Sequence, residues 1–251
     1  MAVISALIVA GTALTAPTNV EPLVPISGSV STPSQGAVDQ RRSETARDSG
    51  LTVNYSGTGS TDGRINIANA VTGFAAADLA FDSAAEGPLG IPAPLRDFAH
   101  VPAVTGATSL MHDPRIGGAR LIDRNLSRST VAGIFTGEIT NRADIRIHAD
   151  IPGLSLPDLQ TIPVIRADSS GSTAQFTGWV SAEHPEQWNA FCVSLRRACL
   201  CGPTSKHLLF GSAKALSGSS GVSGPVALAY GVGSITYVGN SYALRLGLLM
   251  D

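Results

Sequence analysis

Three short stretches of this chain combine hydroxyls, glycines and charge in a way that suits the capture of an oxyanion. The first is Arg166-Ala-Asp-Ser-Ser-Gly-Ser172, where two opposite charges stand beside a run of Ser and Gly in a chain only 14% charged. The planar guanidinium of Arg166 can grip an oxyanion with paired donors. Asp168, two residues on, can hold that guanidinium in place, or the two can simply end a strand as a local ion pair. The second stretch is Tyr55-Ser-Gly-Thr-Gly-Ser-Thr61, and the third is Gly28-Ser-Val-Ser-Thr-Pro33. Each can open a helix, where unsatisfied backbone N–H groups and the positive end of the dipole attract anions. Glycine lets the backbone approach closely and Ser or Thr adds donors. In the third stretch Thr32 is placed to cap a helix with Pro33 in its first position.

These stretches need strands before them and helices after them. LTVNYSG (51–57) reads as a strand and STDGRINIANAV (60–71) as a turn and helix. GFAAADLAF (73–81) reads as a short buried strand, and FAHVPAVTGATSLMH (98–112) as a long strand-like run with a glycine break. SRSTVAGIFTGEIT (127–140) suits a short helix and turn, TIPVIRADSSGSTAQFTGWVSAE (161–183) a strand, loop and helix, and GVGSITYVGNSYAL (231–244) a closing strand and turn. Short apolar runs alternating with helical stretches predict an α/β protein.

At 251 residues and 43% hydrophobic, the chain can bury a sizeable core as one large domain or two lobes. Its net charge of −2, with Lys and Arg scattered, argues against a nucleic-acid surface. The 27 Gly and 15 Pro are spread through the chain and mark tight turns. The opening MAVISALIVAGTALTAPTNVEP has the apolar stretch and small-residue cleavage zone of a secretory leader, with a cut fitting after Ala13 better than after Ala16, although no Lys or Arg precedes it. Cys192, Cys199 and Cys201 lack the paired spacing of a zinc site. In an exported protein Cys192 could pair with Cys201 or Cys199; otherwise the three are reduced thiols. The five histidines (His100, His112, His148, His184 and His207) are scattered, without metal spacing and without a motif that would activate a serine.

VNYSGTGSTDGRINIANAVTGFAAADLAF and IPVIRADSSGSTAQFTGWVSAEHPEQWNAF, in this order, resemble the two ligand segments of PstS-type phosphate-binding proteins of ABC transporters, the actinobacterial branch most. VAGIFTGEITN, between the two segments, and the GSITYV strand after them match further family landmarks in the right order, and the resemblance runs from about Ile26 to Leu244. It implies a type II periplasmic-binding-protein fold, with a leader and linker over 1–25, a partial first α/β lobe over 26–110, a second lobe over 111–244 and a tail over 245–251. It further implies that Thr32, Ser60, Asp78, Arg166, Ser170, Gly171 and Ser172 contact phosphate, with Asp168 supporting Arg166 and Ser172 standing where Thr is usual. Asp78 would accept the ligand's proton.

By the same resemblance the chain is expected to be a monomer outside the cytoplasm. It would bind inorganic phosphate without cofactor or metal, catalyse nothing, touch no nucleic acid, and deliver its ligand to a membrane permease. Two departures bear on this. Pro33 stands where the family uses the backbone N–H of a Phe, so one hydrogen bond to the ligand is expected to be missing. Family members also continue well past the GSITYV region to complete their first lobe, whereas this sequence stops at Asp251, so an incomplete first lobe is expected. The alternatives are a degenerate or truncated relative acting as a secreted interaction protein without phosphate, and, behind it, a secreted phosphatase of the same fold.

Overall fold

The computed structural model describes residues 23–81, 90–112, 115–116, 119–120, 125–195, 202–228 and 233–246. The proposed leader up to residue 22, and both Cys199 and Cys201 as partners for the buried Cys192, lie outside them.

The first half begins with β1 (Ile26–Val30), a single 3₁₀ turn (Thr32–Ser34) and α1 (Gln35–Ser49). It continues through β2 (Val53–Ser56), α2 (Ser60–Ala68) and β3 (Phe74–Ala76). The strands form a parallel sheet in the order β2-β1-β3, which brings their carboxyl ends to one side. Gly28 at the centre of β1 is required by packing: a Cβ there would lie 2.2 Å from the Phe74 ring, which therefore occupies the space a side chain would need.

The second half contains β4 (Thr108–His112), a two-residue pair β5 (Arg115–Ile116) and β6 (Ala119–Arg120), then α3 (Arg128–Phe135) and α4 (Ile145–Asp150). β7 (Ile162–Arg166), α5 (Gly171–Glu183) and α6 (Pro185–Ser194) follow. β8 (Lys214–Leu216), α7 (Gly218–Leu228), β9 (Ser234–Gly239) and α8 (Asn240–Arg245) complete it. The sheet order is β4-β9-β7-β8, with β4 antiparallel to β9 and the other pairs parallel.

Every residue of β9 is buried, as a strand covered on both faces must be. Alternation sends Ile165, Ile235 and Tyr237 into one core with Phe135, Phe176, Trp188 and Phe191. Val164 and Val238 go into the other, with Met111, Val222 and Val226.

Two expectations need correction. The run 98–112 is a strand only over Thr108–His112, because its partner β9 is six residues long and Thr108 already pairs with its last residue, Gly239. A division at residue 110 therefore falls inside a strand of the second sheet. The last described segment also ends in helix α8 instead of a turn.

His207 lies inside the first of these cores, its ring about 6 Å from those of Trp188 and Phe191, with Nδ1 donating to the Leu208 carbonyl 3.0 Å away. Burial pushes its pKa down to about 4, and that of His112 down to about 3. A histidine with a depressed folded pKa favours the native state fully above its unfolded value near 6.5, and this stabilisation is lost as pH falls through that value towards 4. His207 alone is expected to cost on the order of 3 kcal/mol across that window. His207→Phe should flatten the corresponding part of the pH dependence in urea denaturation between pH 7 and 4.5. An unchanged slope would mean that the imidazole titrates freely.

Candidate functional site

The carboxyl ends of parallel strands, where open α/β sheets place their ligands, converge between the two halves. β1 runs out into Ser31 and Thr32, β2 leads to Ser60, β3 leads to Asp78, and β7 ends at Arg166. All except Asp78 are less than a tenth exposed.

On the first side, Asp78 Oδ2 accepts from Ser31 Oγ at 2.8 Å and from Ser60 Oγ at 2.9 Å. Two hydroxyls thus fix the carboxylate at the mouth of α2. Gly59, at φ 103°, takes the left-handed backbone that the turn into α2 requires and that any other residue would strain to adopt.

On the second side, Arg166 is 2% exposed and makes a two-pronged pair with Asp168, Nε to Oδ1 at 2.7 Å and the NH2 nitrogen to Oδ2. The Gly218 N–H adds a 2.9 Å bond to Oδ1. Burial would raise the Asp168 pKa, but the Arg166 hydrogen bonds and charge, together with that N–H, outweigh it and hold the carboxyl below its usual range. Of the five N–H donors of the guanidinium, two go to Asp168 and three are left for other acceptors. Ser170 caps α5, its Oγ accepting from the Thr173 N–H at 3.4 Å, and Gly171 and Ser172 form the buried first turn.

The two sides meet. A Cβ on Gly171 would stand 2.3 Å from Asp78 Oδ2, 2.5 Å from Asp78 Cβ and 2.6 Å from Ser60 Oγ. One turn along α5, Gln175 Nε2 donates to the Asp78 carbonyl at 3.2 Å. The structure therefore brings Thr32, Ser60, Asp78, Arg166, Ser170, Gly171 and Ser172 to one cleft, although Asp78 and Arg166 stand 88 positions apart in the chain (166 − 78). The arrangement sets donors from the start of α5 and from Arg166, which suit an anion, beside one fixed carboxylate, Asp78, an acceptor for any proton the anion retains.

The third segment differs from expectation. The residue preceding the 3₁₀ turn is Ser31, and Thr32 is not the cap: its Oγ1 lies 2.9 Å from Ser219 Oγ, while Pro33 sits inside the turn. Sequence reasoning missed both Ser31 and Ser219. The signal for Ser219 was present in Ser217-Gly218-Ser219-Ser220-Gly221, one more Ser/Gly stretch between a strand and a helix.

With that geometry in view, a family model described as a PBP superfamily domain matches residues 10–249. The chain belongs to the PBP superfamily. Within it, the chain is similar to the phosphate-binding protein PstS of Xylella fastidiosa (strain Temecula1), with 31% identity over 132 residues, 53% of this chain and 34% of that protein. It thus spans about a third of the length of that curated relative. Among solved structures it shares its fold with PfluDING, a high-affinity periplasmic phosphate-binding protein bound with phosphate. There the TM-score is 0.58 and the identity 22%, covering 88% of this chain and 57% of the other. A putative phosphate ABC transporter substrate-binding protein from Clostridium perfringens, also with bound phosphate, gives a TM-score of 0.53 at 16% identity, covering 87% and 72%. The type II periplasmic-binding-protein fold of these neighbours is the fold of this superfamily member. Among the described residues no helix is long and apolar enough to cross a membrane, and no three His, Cys, Asp or Glu side chains are grouped to hold a metal ion.

Proposed function

We propose that this chain binds inorganic phosphate in the cleft between its two sheets, outside the cytoplasm, for delivery to the membrane permease of an ABC-type importer. The observation that carries the reading is the convergence of a buried, Asp168-clamped Arg166 and the start of α5 on a carboxylate already fixed by Ser31 and Ser60. In the reading, Arg166 and the first-turn N–H groups of α5 hold the anion's charge, the hydroxyls of Thr32, Ser60, Ser170 and Ser172 add donors, and Asp78 accepts the proton that phosphate retains near neutral pH. The similarity to PstS supports phosphate as the anion.

A binder is favoured over a phosphatase because the buried histidines serve elsewhere. His207 is packed among aromatic rings, and His112 lines a small cavity with Arg142 and Ile147, at the end of the sheet opposite Arg166.

Calorimetric titration with phosphate at fixed ionic strength tests the reading. Saturable binding is expected, weakened at least a hundredfold in Arg166→Met, since a charged, buried donor would be lost and Asp168 left unpaired. Absence of phosphate binding in the wild type would leave the interaction-protein reading in its place.

A further inference from the structure

We propose that Ser219 is a ligand-contacting residue of this same site, supplying from α7 the donor that Pro33 cannot give; the inference rests on the phosphate reading above. Ser219 is 1% exposed, and its Oγ lies 2.9 Å from Thr32 Oγ1 and 3.4 Å from the NH1 nitrogen of Arg166. Thr32 and Arg166 come from different halves of the molecule, and in the proposed site both donate to the anion. A hydroxyl within a hydrogen bond of both stands beside any oxygen that both would hold.

The proton inventory gives this position its role. Two hydroxyls facing each other at 2.9 Å place one proton between them, so the other O–H is directed elsewhere. Arg166, meanwhile, donates to Ser219 Oγ and polarises its O–H. Rotation about a single bond lets both hydroxyls turn their protons onto an anion, while Ser219 keeps accepting from Arg166. The preceding residue fixes the geometry: the Gly218 N–H is bonded to Asp168 Oδ1 at 2.9 Å, so the start of α7 is tied to the same ion pair that orients Arg166.

The adjacent loop has no amide donor at Pro33, which follows directly on Thr32, the Ser219 partner. Its ring is held close to the second half, since a Cβ on Gly239 would lie 3.2 Å from Pro33 Cβ. The turn therefore keeps its place without an amide donor; from across the cleft the Tyr242 hydroxyl is taken up by the Thr32 carbonyl at 3.4 Å, while that of Ser219 stands 2.9 Å from Thr32 Oγ1.

The test is phosphate calorimetry on wild type, Ser219→Ala, Ser219→Thr, Pro33→Ala and the Ser219→Ala/Pro33→Ala double variant, with ligand-free melting of each. Ser219→Ala is expected to bind about tenfold more weakly while still melting cooperatively without ligand, and Ser219→Thr to stay within about threefold of wild type with its ligand-free melting temperature kept. With an amide restored by Pro33→Ala, the same serine deletion should cost about threefold or less. Wild-type binding with Ser219→Ala equal to wild type would overturn this inference alone. A ligand-free melting temperature that falls in both serine variants, with affinity lost equally in Ala and Thr, would make Ser219 a structural brace and also overturn it. Absence of wild-type binding would overturn the phosphate reading and this inference together.

Discussion

Gly171→Ala is expected to reduce phosphate affinity at least a hundredfold while leaving the protein folded. The added Cβ would meet Asp78 Oδ2 at 2.3 Å, Asp78 Cβ at 2.5 Å and Ser60 Oγ at 2.6 Å. A carboxylate oxygen can swing away, but Asp78 Cβ is fixed to the backbone, so the walls must separate by about 1 Å to restore ordinary contact. That displacement acts on every donor aimed from α5, and misplacement of this size is enough to cost about two orders of magnitude where geometry carries the interaction. Helix propensity runs the other way, since Ala is the better helix former, so α5 should hold or gain stability. Calorimetry beside a far-ultraviolet melt separates the two effects. Affinity within threefold of wild type would show that the walls do not close to this distance around the ligand.

Replacing Asp78 with Asn should lower the ratio of phosphate to sulfate affinity at least tenfold. Phosphate near neutral pH keeps a proton that a carboxylate can accept; sulfate has none and meets Asp78 as charge against charge. The amide oxygen of Asn can still receive the Ser31 and Ser60 hydroxyls that now bond Oδ2 at 2.8 and 2.9 Å, which preserves the orientation of the side chain. Its nitrogen then offers sulfate a donor in place of a like charge, and rejection by repulsion is lost. Phosphate should change little, as a weaker acceptor is offset by relieved repulsion. The measurement is both affinities in wild type and Asp78→Asn at one pH and ionic strength. A ratio that does not fall would assign Asp78 a structural role, holding Ser31 and Ser60 together.

The elements most legible in the sequence were those whose local signals agree with their surroundings. β7, its loop and α5 announced themselves because an apolar strand, a capping Ser170 and a Gly lie in immediate succession. Strand β2 and helix α2 did so for the same reason. What escaped depends on partners far along the chain. The upstream part of 98–112 is as apolar as a strand, but strand character needs a ladder, and past Gly239 the partnering segment gives only the Asn240 N–H to the Ala107 carbonyl before it turns into α8. Ser31 looks like an ordinary helix cap until Asp78 is brought to 2.8 Å from it, and Ser219 looks like a spacer residue until Thr32 arrives from 187 positions away. The resemblance could assign Thr32 a role at the ligand, but not the neighbour with which it shares a proton.

The aromatic core has a practical consequence for optical work on this protein. The chain has two tryptophans, both in the second half: Trp179, half-buried against Phe176 and His184, and Trp188, buried against Phe191 and His207. Neither indole belongs to the first half, where the facing wall of the cleft is built. Intrinsic fluorescence should therefore follow the melting of one half and respond weakly to relative movement of the two. A reporter of cleft closure calls for an indole placed on the opposite wall, with the native pair silenced by Phe.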